Sequence, residues 1–139
     1  YNMRIMGIDY GDSRIGIAIS DPLGITAQGL ETVSSKEGLE PALERIAALA
    51  ARYGTDRIVV GFPKNMNGTI GPRGEKTFEF ISLLEKKTGL EVIKWDERLT
   101  TVAANRAMQE MGVKTRKKKD VVDQIAAVYI LQGYLDSIR

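Results

Sequence analysis

The run RIVVGF, Arg57–Phe62, is apolar at nearly every position and shows no alternation of polar with apolar residues. A strand with one solvated face alternates, whereas a strand covered on both faces does not. This segment therefore predicts a parallel or central strand inside a layered sheet. The flanking segments agree. Ile5–Asp9 and Ile15–Ser20 read as two strands joined by a Gly/Asp/Ser turn, and Ile25–Val33 as a third, weakened by Gly24 and Gly29. Lys36–Tyr53 has helical periodicity through Leu39, Leu43, Ile46 and Leu49, with Gly54 as the stop. After RIVVGF comes a loop rich in Gly, Pro and Asn, Pro63–Gly74, then a helix over Glu75–Thr88. Leu90–Glu97 is a strand that ends in two acids, and Thr100–Gly112 is a short helix. Val113–Lys119 reads as a charged loop, followed by a final helix over Asp120–Ile138 with an acidic N-cap. Three antiparallel strands followed by strands alternating with helices predict an α/β fold. Its mixed five-stranded sheet has three antiparallel strands and then two parallel ones, with helices on both faces.

At 139 residues the chain fits one domain, expected to span residues 3–139. Tyr1 and Asn2 precede Met3 and read as the remnant of a tag. A domain near 150 residues buries roughly two-thirds of its unfolded surface, so it needs no disulfide or structural metal. The chain has neither cysteine nor histidine. That excludes disulfides, zinc–thiolate sites, thiol nucleophiles, histidine triads and an imidazole base. Catalysis, if any, falls to carboxylates, hydroxyls, lysines, arginines or a hard metal ion. The net charge of +2 means that a nucleic-acid site must come from local clustering of cations. No apolar run reaches the roughly 18 residues of a membrane span, and no signal peptide is evident, so a soluble cytoplasmic protein is expected.

Three acids stand where solvated surface acids usually do not. Asp9 ends the first strand. Glu97 ends the last strand, where alternation places it on the face of Ile93 and Trp95 with Asp96 opposite. Asp123 lies in the final helix, with Ala126, Ala127 and Ile130 on its own face. Each taken singly has an ordinary explanation, as a turn residue, a cap or a partner for the helix dipole. Taken together, they can converge at one edge of one sheet. An all-oxygen donor set suits Mg²⁺ or Mn²⁺, and a pair of such ions about 3.5–4 Å apart supports displacement at a phosphodiester.

The segments GIDYGDSRIGIAISD, VVGFPKNMNGTIGPRG, DERLTT and VDQIAAVYILQGYLD together resemble the YqgF/RuvX family, in its order and over Met3–Ile138. The resemblance implies the ribonuclease H-like fold and kinship with Holliday-junction resolvases. It also implies a nuclease activity, described for bacterial members as 5′-end maturation of pre-16S ribosomal RNA. The family's acidic positions fall on Asp9, Glu97 and Asp123, as catalytic and metal-holding residues. Gly7, Gly11 and Gly16 then read as clearing space for a backbone phosphate, or as serving the turn alone. Arg14 and Arg98 lie near the acids in sequence and read as phosphate clamps or as structural ion-pair partners. Lys64, Asn65 and Arg73 are candidate phosphate contacts on a mobile loop. Lys114, Arg116, Lys117, Lys118 and Lys119 form a cationic run leading into the helix of Asp123, which reads as a nucleic-acid contact or as a solvated loop.

Two other functions are open. The hairpin also resembles the phosphate-binding hairpin of sugar kinases and actin-like ATPases, but those need two such domains. Related domains in larger transcription-associated proteins act as scaffolds after losing their acids, and here all three acids are present. The expected partner is nucleic acid, with ribosomal RNA precursor ahead of branched DNA, and with a ribosomal partner and a monomer or homodimer both open.

Overall fold

The computed structural model describes residues 4–64, 67–97 and 115–138. Its strands are β1 (Ile5–Tyr10), β2 (Arg14–Ser20), β3 (Ala27–Ser34), β4 (Arg57–Phe62) and β5 (Val92–Asp96). Its helices among these residues are α1 (Leu39–Arg52), α2 (Pro72–Thr88) and α3 (Thr115–Ser137); the short helix expected over Thr100–Gly112 lies outside the described residues. One sheet runs in the order β3-β2-β1-β4-β5. β1 pairs antiparallel with β2, β2 antiparallel with β3, and β4 parallel with both β1 and β5. The architecture is the expected mixed sheet, and RIVVGF occupies its parallel interior.

Alternation along the strands divides the apolar residues between two cores. Met6, Ile8, Ile15, Ile17, Ile58, Val60 and Phe62 meet Leu43, Ile46, Leu49, Phe80 and Leu84 of α1 and α2. Ile5, Ala18 and Val59 meet Ala127, Ile130, Leu131 and Leu135 of α3 on the other face. The helices thus cover both faces, as the unbroken apolar run of β4 requires.

Among the boundaries that differ from the sequence expectation, three have a clear local cause. β3 begins at Ala27 rather than Ile25, because the Asp21 carboxylate accepts hydrogen bonds from the backbone N–H of Leu23, Ile25 and Thr26 and holds a turn there. α2 begins at Pro72, three residues early, since proline suits the first helical position, where no N–H partner is needed. α3 begins at Thr115, so Thr115–Lys119 belong to a helix and not to a charged loop. Lysine and arginine are good helix formers, and no Gly or Pro breaks that run.

Gly7 and Gly16 have a different role from either of the two expected, and Gly11 takes the second. A Cβ on Gly7 would stand 2.6 Å from Leu131 Cβ, and one on Gly16 would stand 2.0 Å from the carbonyl oxygen of Asp123. These positions are filled by α3, so they are not clearings for a phosphate. Their bare backbone lets the helix lie close on the sheet. Gly11 serves the turn, its N–H donating to the Arg14 carbonyl at 3.0 Å.

Candidate active site at the carboxyl edge of the sheet

Asp9 lies on the α3 face of β1, in phase with Ile5 and Gly7, and its register partner on β2 is Gly16. Because the main chain of Asp123 rests on Gly16, α3 delivers its acid beside Asp9. On the other flank, Glu97 follows β5, and its Oε2 stands 3.5 Å from where a Cβ on Gly61 would be. Gly61 comes one residue after the Ile8–Val60 pair of β1 and β4, which sets Glu97 level with Asp9. The three acids therefore form a row across the sheet, each on the α3 face. Asp96 lies on the opposite face with Phe62, as alternation required.

The row is electrostatically costly. Burial, and then the charges of Glu97 and Asp123, push the Asp9 carboxyl up to about 7, with Arg73 opposing the rise. Burial also raises Glu97, again opposed by Arg73. Among the described residues the Asp9 carboxylate has no hydrogen-bond or ion-pair partner in contact. Asp123 is drawn onto the Arg14 Nε at 3.0 Å. Among the described residues no three acids are gathered at metal-ligand spacing. The donor chemistry nonetheless fits a hard cation. Every donor is a carboxylate oxygen, and the central one is partly buried with no positive partner in contact among the described residues.

Arg73 stands in the first turn of α2 and not on a loop. Its Nη1 donates to Asp12 Oδ1 at 3.0 Å and its Nη2 to the Tyr10 carbonyl at 2.8 Å, which ties α2 to the hairpin beside Asp9. Asp12 is the residue that sequence reasoning passes over; its position in the turn after Asp9 is the available signal. Arg14 takes the ion-pair role of its two readings. Lys64 does not join the acids: it lines a cleft on the α2 face with Phe62, Ile70, Phe78, Lys94 and Asp96. Asn65, Arg98 and Lys114 lie outside the described residues, and of Arg116, Lys117, Lys118 and Lys119 only the helical backbone is described.

A five-stranded sheet in this order, covered by helices on both faces and carrying acids across its carboxyl edge, defines a ribonuclease H-like protein. The RuvC structure of Thermus thermophilus in complex with Holliday junction substrate shares the fold, with a TM-score of 0.55 at 15% identity over 97% of this chain and 94% of that one. The sequence model described as "RuvX: Holliday junction resolvase" matches residues 3–137, and the chain belongs to this nuclease family. A relative from Acetivibrio thermocellus is 69% identical over 136 residues, covering 97% of this chain and 96% of the relative. One from Ruminiclostridium cellulolyticum is 58% identical, covering 98% and 96%. Both carry the name "Putative pre-16S rRNA nuclease".

Proposed function

We propose that this chain is a divalent-metal-dependent nuclease that processes the 5′ end of pre-16S ribosomal RNA, with Asp9, Glu97 and Asp123 holding Mg²⁺ or Mn²⁺. The observation that carries this reading is the row of three carboxylates on one face of the sheet, with Asp9 at its centre. A divalent cation supplies there an activated water and neutralisation of charge on the scissile phosphate. Asp9 in its deprotonated form, Glu97 and Asp123 would hold the cation, and Asp123 would do so in competition with its contact to Arg14. Arg14, beside Asp123, would meet a phosphate oxygen of the substrate. The working unit is a single ribonuclease H-like domain over residues 3–139, acting in the cytoplasm as a monomer or homodimer, alone or with a ribosomal partner. No helix among the described residues is long and apolar enough to cross a membrane.

The test is cleavage in Mg²⁺ or Mn²⁺ of three substrates: RNA with the 5′ precursor segment of 16S, a four-way DNA junction, and plain duplex. Shortening of the RNA, lost in Asp9→Asn, is the expected outcome. Cutting of the junction alone would transfer the assignment to a resolvase. Binding without cleavage of any substrate would make the chain a scaffold.

A further inference from the structure

Phe62 and Asp96 are register partners at the ends of β4 and β5, on the face turned away from the acid row. With Lys64, Ile70, Phe78 and Lys94 they line an open cleft of about 390 Å³, within the range of small-ligand pockets. Its walls combine two chemistries. Ile70 and Phe78 are large apolar side chains left 45% and 38% exposed, more than burial in a core would leave them. Lys64 and Lys94 are exposed cations that form no ion pair among the described residues, even though Asp96 shares the cleft. The Lys94 Nζ sits 4.8 Å from the centre of the Phe78 ring, and the Phe62 ring braces Phe78 at 4.7 Å. Glu97, the next residue after Asp96, belongs to the acid row. Phe62 and Asp96 therefore end their strands at the same carboxyl edge of the sheet as the acid row, on its other face.

We propose that this cleft is a subsite for an unpaired nucleotide of the substrate strand, with phosphate on Lys64 and Lys94 and the base over Ile70 and Phe78. A base needs an apolar or aromatic surface, and its phosphate needs cations. The two lysines put cations on the lining of one cleft. Base-paired strands present no free base face to such a cleft, so the subsite confers a preference for single-stranded flanks next to the cut. The inference rests on the nuclease reading and names where its substrate's flank is held.

Binding is measured in EDTA, so that no cleavage occurs, to a duplex with a single-stranded 5′ extension and to the same duplex with blunt ends. The parent protein is expected to prefer the extension. Phe78→Ala lowers affinity for the extension about tenfold, the scale of one base stack removed, with blunt-duplex binding unchanged. Lys64→Gln, at an exposed side chain whose replacement leaves folding intact, makes the salt dependence of extension binding shallower by about 0.7, because one phosphate no longer meets a cation. Variants that keep the parent's preference and salt slope overturn the subsite alone; occupancy of the cleft by an acidic protein partner would give that result. A parent that binds neither nucleic acid overturns the subsite and the nuclease reading together.

Discussion

Asp9 is the residue on which the site turns, because its neighbours on both flanks carry the same charge. Its carboxyl is raised from 3.8 to about 7 in the fold. The folded state thus binds a proton that the unfolded chain releases, so stability of the metal-free protein falls as pH rises from about 4 to 7 and stays low above that. Asp9→Asn removes the charge. It is expected to raise metal-free stability at pH 8 by at least about 1 kcal/mol, since one unit of displacement corresponds to about 1.4 kcal/mol. The gain should vanish below about pH 3, under the unfolded value of 3.8, where the parent is protonated in both states. Thermal melts of both proteins across this range check the sign, and a variant less stable than the parent at pH 8 would contradict it. If Asp9 holds Mn²⁺ as proposed, the ion displaces the same proton, so its affinity is expected to rise through pH 7 and to level off above it, as read by titration calorimetry. Arg14 competes with any cation for Asp123 at 3.0 Å. In Arg14→Gln the metal-free protein should lose about 1 kcal/mol, and Mn²⁺ should raise its melting temperature more than it raises the parent's.

Among the elements, α3 does most to assemble the site, and it does so through the sheet glycines. Gly16→Ala would drive a methyl group into the carbonyl of Asp123. Overpacking of this kind costs about 1–3 kcal/mol or more, so the variant should unfold earlier in urea and lose cleavage even when folded, since Asp123 is displaced. A second expectation concerns the first turns of α3. Alanine at Lys117, Lys118 and Lys119 preserves helix propensity, so folding should hold while nucleic-acid binding weakens for all sequences and loses salt dependence. Filter binding at several salt concentrations checks both. How far the elements are legible in the sequence follows from what each signal depends on. The face of Glu97 is readable because a strand repeats every two residues, and RIVVGF announces its interior place by the same logic. The start of α3 is hidden because Asp120 imitates a cap while the helix begins upstream on basic residues that favour it equally well. Arg73 reads as a loop residue from the Gly, Pro and Asn around it, although Pro72 marks a helix start. The contacts of Gly7 and Gly16 are not legible, since they join residues more than a hundred positions apart and leave no local pattern.

For the whole molecule, the sheet has two cores but only one of its faces carries the acids. Among the described helices α3 alone covers that face, burying Ile130, Leu131 and Leu135 completely. Burial of each such side chain contributes about 1.5–3 kcal/mol, and the sum is comparable to the stability of an ordinary domain. Deleting residues 115–138 is therefore expected to abolish cooperative unfolding, monitored by circular dichroism, and not merely activity. The tie from Gln132 to the end of the turn that leads into β3, through the Ala27 N–H at 2.9 Å and the Ile25 carbonyl at 3.0 Å, extends that dependence to the far edge of the sheet. The seat of Asp123 on Gly16 has a consequence for heredity as well. The atom that an alanine at position 16 would strike is a main-chain oxygen, which every amino acid carries. A selection for second-site suppressors of Gly16→Ala should accordingly recover true revertants to glycine and no compensating change at position 123.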